Sequence, residues 1–460
     1  MRHQSRFLVL VASFASLVLC CMSRLEPVRG ADEPGRQETR PAGKTKPKLG
    51  QGAKTWTTAV EPKPLSRNVK KGLDWLVEHQ LAGGGWGQGE ESAQMRGNGS
   101  LKDTPNVADT CIAALALIRS GSTPREGLYR DAIVKGVRYV LLQVDQSDSQ
   151  SIAVTSVQGT RVQQKLGPNI DTFLASILLA EVKGRMPDEA SEKVADLALH
   201  KVLGKIERHQ KQDGAFDGQG WAPILAQAMC GKGINRARQA GARVSDVALA
   251  RANNGAKLAF QASTLAPGDR PSAGYSYSSP GMSGMMGRGG MRGAAGVELY
   301  SRAASIAVLS DSVNTNKVVA AGLRDKAANS KDQRERAQAN QQLAEIADAE
   351  NVNQNAQAAV VARLADKQFV AGFGSNGGEE FLSYMNIAES LVVKGGDAWK
   401  RWDFEMTQNL NRVQNGDGSW SGHHCITGRN FCTSTALLVL MADRTPVPVQ
   451  AKATAPAPAK

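Results

Sequence analysis

The sequence predicts an all-α fold made of repeated helical hairpins, on three observations. Apolar residues recur at helical spacing, as do Val69, Leu73, Leu76 and Val77 in "RNVKKGLDWLVEHQ". A short helical motif recurs along the chain, and a Gly-rich turn precedes several helices. No stretch sustains the period-two alternation of apolar and polar residues that marks a half-buried strand.

The helical motif reads T-x-x-A-x-[L/I]-x-L. It occurs as "TCIAALAL" from Thr110, "TFLASILL" from Thr172 and "TSTALLVL" from Thr433, and "SRAASIAV" from Ser301 is a looser copy. The first two copies lie 62 residues apart (110 to 172), and the later gaps are about twice that. This spacing predicts a period of about 65 residues, so that about six hairpins fill residues 65–445.

The turn motif reads Gln-x-x-x-Gly-x-aromatic and follows an amphipathic helix. Its glycines end that helix and permit the backbone to reverse. Its three copies pair Gln80 with Trp86, Gln210 with Phe216, and Gln414 with Trp420. Asp109 and Asp171 directly precede the repeat Thr, and we expect them to be N-caps of the second helix of their units.

Residues 1–30 are expected to be a signal peptide. A basic start precedes "FLVLVASFASLVLCCM", and small residues surround a cleavage position after Gly30. This mostly apolar stretch of sixteen residues is short for a membrane span, which needs about twenty. We therefore expect export, periplasmic or secreted, with an uncleaved membrane anchor as the alternative.

Pro- and Lys-rich residues 31–64 predict a disordered tether, and 446–460 a disordered tail. Residues 1–71 hold fourteen basic and five acidic side chains, which is +9 of the net +13. The basic tether could contact an anionic envelope surface. The nearly balanced remainder argues against a nucleic-acid partner.

Two segments interrupt the repeats. Residues 267–296 are rich in Gly, Ser and Met and predict a flexible loop. Residues 326–357 are polar and Ala-rich and predict an exposed helical insertion. Of the cysteines beyond the leader, Cys425 and Cys432 are close enough in sequence to predict a local disulfide in an oxidising compartment.

The stretch "KGLDWLVEHQLAGGGW" resembles the QW repeat of squalene and oxidosqualene cyclases. The Asp-Thr-x-x-Ala helices resemble the repeats of those enzymes and of protein prenyltransferase β-subunits. The resemblance implies an (α/α)6 toroid over 65–445. It also implies that the Gln and the aromatic residue of each turn motif tie neighbouring hairpins together.

The chain departs from the catalytic motifs of these relatives. It lacks the Asp-x-Asp-Asp cluster of the cyclases, and aromatic residues make up only 5% of it. The prenyltransferase zinc site would correspond to Asp109, Cys111 and Cys432, but Cys432 stands where the family has His, and Cys111 lies on an apolar stripe. The Cys-Gly-Glu-Gln signature of the toroidal thioester domains is also absent. We expect no cofactor, with zinc as the alternative.

Carbohydrate-active enzymes also use (α/α)6 rings, with paired carboxylates as acid and base. The available carboxylates are Asp103, Asp109, Asp171, Asp217, Glu379 and Glu380. Glu379 and Glu380 follow a Gly-rich turn at the head of a helix, where the helix dipole favours carboxylates without catalysis.

The stretch "SGHHCITGRNFC" is predicted to close the ring between the last turn motif and the last helix. His423, His424 and Arg429 would then face the mouth of the toroid and contact a ligand. The favoured hypothesis is an exported, non-catalytic binding or scaffold protein for a peptide, envelope polymer or lipid. The alternative is an enzyme, either isoprenoid cyclase or transferase-like or glycan-active. The binding candidates are Asp109, Asp171, Glu379, Glu380, His423, His424 and Arg429.

Overall fold

The structure, a computed structural model, describes residues 56–95, 99–218, 220–264, 290–370, 374 and 377–449. These residues are predominantly helical, which confirms the predicted all-α class. The helices are α1 (Arg67–Glu78), α2 (Val107–Arg119), α3 (Arg130–Gln146), α4 (Arg161–Leu166), α5 (Ile170–Val182), α6 (Glu189–His209), α7 (Pro223–Gln239), α8 (Asp246–Thr264), α9 (Gly290–Asn329), α10 (Gln333–Leu364), α11 (Lys367–Val370), α12 (Gly378–Lys394), α13 (Gly396–Val413) and α14 (Arg429–Leu440). The strands are β1 (Trp56–Thr58) and β2 (Pro446–Pro448).

Six helices form a closed cycle of contacts. Helix α2 packs against α5, α5 against α7, α7 against α9, α9 against α12, α12 against α14, and α14 again against α2. A second set lies against this cycle: α1 on α14, α3 on α2, α6 on α5, α8 and α10 on α9, and α13 on α12 and α14.

Burial explains why the two sets differ in sequence. Every residue of α2 and of α5 is buried, whereas α1 and α13 bury one stripe each. A helix that is covered on all sides tolerates apolar residues all round, while a helix with one free face is amphipathic. The T-x-x-A motif therefore marks three helices of the cycle.

The first turn motif joins one hairpin to the next. The side-chain Nε2 of Gln80 donates to the carbonyl of Gly84 at 2.7 Å and to that of Ala132 in α3 at 2.9 Å. The indole Nε1 of Trp86 donates to the carbonyl of Leu76 at 2.7 Å. The ring lies against Gly136 of α3, where an added Cβ would come within 2.8 Å of it.

The last turn motif makes the same contacts with the first hairpin. Gln414 Nε2 donates to the carbonyl of Gly418 at 2.8 Å and to that of Asn68 in α1 at 2.9 Å. Trp420 Nε1 donates to the carbonyl of Leu410 at 2.9 Å, and its ring lies against Gly72 of α1. The stretch around Trp420 therefore joins the two ends of the helical repeat.

The middle copy departs from this pattern. Neither polar atom of the Gln210 side chain has a hydrogen-bond partner. Phe216 has no ring N–H to donate, and it packs against Phe173 of α5 with ring centroids 4.9 Å apart.

The predicted disordered tether and tail each include residues that are folded. Strand β1, inside 31–64, pairs antiparallel with β2, inside 446–460, with Trp56 opposite Pro448. Trp56 is only 6% exposed, so burial of one indole orders a segment whose composition otherwise indicates disorder.

The predicted N-caps are wrong by a few residues. Helix α2 is capped by Asn106, whose side chain accepts from the backbone N–H of Asp109 at 2.9 Å, and α5 begins after Asn169. Asp109 and Asp171 lie in the first turns instead, because both helices start before the repeat Thr.

The described residues of the two predicted interruptions are mostly helical. Residues 290–296 of the Gly/Met/Ser-rich segment belong to α9, and 267–289 lie outside the described residues. Residues 326–357 divide between the end of α9 and α10, which packs along α9. Only one face of α10 is buried, and this accounts for its polar composition.

The predicted signal peptide, residues 1–30, lies outside the described residues. Within the described ranges, no helix is both long enough and apolar enough to cross a bilayer.

The contact between Trp420 and Gly72 gives a stability prediction. A Gly72→Ala side chain would meet the indole at 2.8 Å and Leu437 Cδ2 at 3.0 Å, so we expect destabilisation by about 1–3 kcal/mol in urea unfolding. The control is Gly204→Ala in α6, where no atom lies within 4 Å of the added Cβ. That variant should gain about 0.5–1 kcal/mol from helix propensity. Equal stability of the two variants would contradict the packing role of Trp420.

Candidate functional site

Four helices of the cycle bring polar side chains together at their N-terminal ends. Asp109 lies on α2, Asp171 on α5, Glu379 and Glu380 on α12, and Cys432 on α14. Asp109 and Glu379 both lie close enough to Cys432 to raise the pKa of its thiol when they ionise, so the three helices that carry these residues meet at this end. All four carboxylates lie in the first turn of their helix, where the helix dipole favours acidic side chains.

Asp109 is completely buried. Its Oδ2 accepts from Asn106 Nδ2 at 2.8 Å, while its Oδ1 has no hydrogen-bond partner. The pKa of Asp109 is raised to about 8, chiefly by burial and also by the nearby charge of Asp171, against the lowering effect of the Asn106 hydrogen bond. The carboxyl therefore holds its proton at neutral pH.

Asp171 satisfies the start of a neighbouring helix. Its Oδ1 accepts from the backbone N–H of Ala108 in α2 at 2.9 Å, and its Oδ2 accepts from Gln163 Nε2 at 2.8 Å. Burial raises the pKa of Asp171 to about 6 although these hydrogen bonds lower it. Asp171 thus supplies an acceptor to one of the free N–H groups at the beginning of α2.

Glu379 and Glu380 serve different partners. Glu379 Oε2 accepts from the backbone N–H of Ile426 at 3.1 Å, and its Oε1 has no hydrogen-bond partner. Burial raises the pKa of Glu379 to about 7. Glu380 Oε1 accepts from the backbone N–H of Gly374 at 2.6 Å and from the hydroxyl of Tyr384.

The loop that precedes α14 is held from two sides. The backbone N–H of Gly378 in α12 donates to the carbonyl of Ile426 at 2.7 Å. On the other side, the N–H of Arg429 donates to the carbonyl of Glu90 at 3.1 Å, and the N–H of Ser92 donates to Thr427 Oγ1 at 3.3 Å. The loop is therefore held between α12 and residues 88–92.

The predicted binding residues of this loop lie at its surface. His423 and His424 are exposed, and His424 Nδ1 lies 2.9 Å from Cys425 Sγ. Arg429 pairs with Asp417 at 2.7 Å. Cys425 has a φ of 63°, in the left-handed region that a residue with a Cβ rarely adopts.

The predicted Cys425–Cys432 disulfide is not formed in the structure, where both are free thiols. Cys432 Sγ donates to the carbonyl of Ile426 at 3.4 Å, and Cys425 contacts His424. Hydrogen bonds to α12 and to residues 88–92 hold the loop in place of a covalent staple.

The zinc alternative concerns Asp109, Cys111 and Cys432, the residues that correspond to the prenyltransferase zinc ligands. No group of three His, Cys, Asp or Glu side chains in the described part of the chain is placed to hold a metal ion. Burial raises the pKa of the Cys111 and Cys432 thiols well above the usual range, which disfavours the thiolate that zinc requires. Zinc binding by Asp109, Cys111 and Cys432 stays a prediction.

A central ion-pair network lies farther along the same helices and was not predicted. It consists of Arg119 of α2, Glu181 of α5, Lys232 and Arg236 of α7, Asp311 of α9 and Glu389 of α12, all buried. Arg236 pairs with Glu181 at 2.6 Å, Asp311 at 3.0 Å and Glu389 at 3.3 Å. Arg119 pairs with Glu181 at 3.3 Å and Glu389 at 3.2 Å, and Lys232 pairs with Glu389.

Some of these pairs cross the middle of the helix cycle. Arg119 and Glu389 belong to α2 and α12, and Lys232 and Glu389 to α7 and α12, which are not successive helices of the cycle. The network therefore occupies the centre that the six helices surround.

The charges of the central network stabilise one another. Burial acts to raise the pKa of Glu389, but the cations of Lys232, Arg119 and Arg236 outweigh it and lower this pKa to about 2. Burial likewise acts to lower the pKa of Arg236, and three carboxylates raise it above its usual range. Glu389 and Arg236 are therefore ionised at neutral pH.

One signal in the sequence could have revealed part of the network. Arg119 and Glu181 each follow the repeat Thr by nine residues, from Thr110 and from Thr172. Equal offsets place the two opposite charges at the same level of adjacent helices. The positions were overlooked because they stand at the apolar ends of the motifs.

Comparison of the chain with protein-family models, with curated proteins and with solved structures gave no match.

The raised pKa of Asp109 gives a pH prediction. The folded state keeps this proton between about pH 4 and pH 8 while the unfolded chain releases it, so Asp109 makes folding less favourable as the pH rises. Asp109→Asn removes the titration. We expect its stability relative to the unmodified protein to increase between about pH 5 and about pH 8, with a limit of about 1.4 kcal/mol per pH unit.

Urea unfolding at both pH values measures this difference. Exposed Asp103→Asn is the matched control and should show no such trend. A constant difference for Asp109→Asn would mean that its carboxyl is ionised throughout.

The central network gives a second stability prediction. Arg236→Met leaves the carboxylates of Glu181, Asp311 and Glu389 short of a partner, and we expect a loss of about 3–5 kcal/mol in urea unfolding. Arg130→Met breaks an exposed pair with Asp131 and should cost about 1 kcal/mol or less. Similar losses for the two variants would show that the buried pairs contribute no more than the surface pair.

Proposed function

We propose that this chain is an exported (α/α)6 toroid that acts as a non-catalytic scaffold and binds an acidic peptide segment at the mouth of the ring. The closed cycle α2–α5–α7–α9–α12–α14, with a second helix set against it, supports the toroid. The hydrogen bonds of Gln80 and Gln414 to the neighbouring hairpins support the likeness to the QW repeat.

The observation that carries the proposal is the central ion-pair network. A cyclase or transferase of this architecture needs an apolar chamber for an isoprenoid chain. Here six charged side chains occupy the centre, and separating such pairs for an apolar ligand would leave buried charges without partners. We therefore place ligand contact at the surface of the ring.

The mouth surface, defined as Lys165, Trp221, His423 and His424, has the chemistry for such contact. Trp221 is 48% exposed, and the Lys165 ammonium lies 5.5 Å from the centroid of its ring. Lys165 also interacts with the Cys425 thiol, which contacts His424. Trp221, Lys165 and His424 are thus linked by successive contacts through Cys425, and exposed His423 adjoins His424 in sequence.

Charge favours an acidic ligand at the mouth surface. Arg161 and Arg429 are occupied by Glu91 and Asp417, whereas Lys165 forms no salt bridge within the described residues. An ammonium beside an exposed aromatic ring suits a peptide carboxylate with an adjacent apolar group. The basic residues 31–64 would keep the scaffold near an anionic envelope surface.

The test uses a fluorescein-labelled oligo-glutamate peptide and fluorescence anisotropy. We expect the full chain to bind it in a salt-dependent manner, and Lys165→Glu to weaken binding about tenfold by replacing attraction with repulsion. Lys331→Glu makes the same charge change at an exposed position in the turn between α9 and α10, and its affinity should be unchanged. Equal weakening by both variants would indicate a general charge effect, and absence of binding to the unmodified chain would overturn the proposal.

A further inference from the structure

The three turn motifs can be compared position by position. In each motif the central glycine packs against a backbone carbonyl of the neighbouring helix. A Cβ added to Gly84 would approach the Lys135 carbonyl to 2.8 Å, and one added to Gly418 would approach the Lys71 carbonyl to 2.8 Å. In the middle copy, a Cβ at Gly214 would approach the Arg251 carbonyl to 2.7 Å. Positions 71, 135 and 251 are therefore equivalent.

The helix that packs against the middle turn motif lacks an aromatic side chain that the other two copies have. Four residues after these positions the first and last copies have buried rings, Tyr139 and Trp75, whereas the middle copy has buried Gly255. One residue after them, Gly136 and Gly72 receive an indole, whereas Ala252 stands in the middle copy.

The aromatic residue of the middle motif does not fill this space. Phe216 packs against Phe173 of α5 and lines a different depression together with Pro223. The junction of the α6–α7 turn with α8 therefore lacks both rings that its counterparts contain.

A groove of about 420 Å³, including space open to solvent, lies at this junction between α7, α8 and α9. We call it the junction groove, and its lining includes Gln210, Gly214, Gly231, Gly255, Ala256 and Ser305. Its free volume, without the space open to solvent, is about 30 Å³ or about two water molecules, so a larger group would enter by one edge.

Two buried side chains in the lining have no hydrogen-bond partner. Gln210 is 6% exposed, and both its Nε2 and its Oε1 are unpaired. Ser305 is 2% exposed, and its Oγ is unpaired. In the other two copies the equivalent glutamine donates to two carbonyls. Buried polar groups without partners are costly, so a ligand with a complementary donor gains from both.

We propose that the junction groove binds a small planar aromatic group that carries an N–H or O–H donor, of the indole or phenol class. The ring takes the space that Tyr139 and Trp75 fill in the other copies, and its donor bonds to Gln210 or Ser305. The site goes beyond the proposed function, because it lies on α7, α8 and α9 and shares no residue with the mouth surface.

The test titrates indole into the full chain by calorimetry, with benzofuran as a ring of the same shape that lacks the N–H donor. We expect saturable, one-to-one binding of indole that is stronger than that of benzofuran. Gly255→Tyr restores the residue of the first copy and should abolish indole binding. Gly204→Tyr, in an open position on α6, is the matched control and should retain it.

A second variant keeps the test decisive if Gly255→Tyr fails to fold. Gln210→Met preserves side-chain size but removes the amide, and we expect indole affinity to fall about three- to tenfold while benzofuran affinity is unchanged. Absence of indole binding to the unmodified chain, or indole binding unaffected by both Gly255→Tyr and Gln210→Met, would overturn the proposal. Loss of oligo-glutamate binding at the mouth surface, with indole binding intact, would bear only on the proposed function.

Discussion

Six buried charges in the centre of the molecule can all be paired only when five helices occupy their final positions. Arg119, Glu181, Asp311 and Glu389 come from four helices, and α7 supplies the two remaining cations. A helix that shifts by one turn would leave at least one of these charges buried without a partner, at a cost of several kcal/mol. The register of the helix cycle thus depends on this network, while apolar packing alone would tolerate more than one register.

The sequence was most informative where the repeat is regular. The helical period and the two motifs predicted the all-α class, and the resemblance to the QW repeat implied the joints between hairpins at which Gln80 and Gln414 form hydrogen bonds. The predicted helix starts were less accurate, because Asn106, three residues before Asp109, caps α2 in its place. The ordered strand at Trp56 was missed because composition averages over a segment and does not register one buried indole.

The candidate site could be predicted only in part. The carboxylates were identified by residue type and position, but the contact of residues 88–92 with residues 429–430 is made by backbone hydrogen bonds that leave no side-chain pattern. A pairing of Cys425 with Cys432 was inferred from short separation along the chain, whereas a disulfide depends on the directions of the two Cβ atoms. The central network was missed because its ion pairs join positions far apart in sequence, such as Lys232 and Glu389.

The pairing of β1 with β2 places the two ends of the helical unit side by side. Trp56 lies opposite Pro448, and the backbone N–H of Lys63 donates to Asp443 Oδ2 at 2.6 Å. Chains whose folded ends adjoin accept circular permutation, since a short linker can join the old ends and a surface loop can be opened instead.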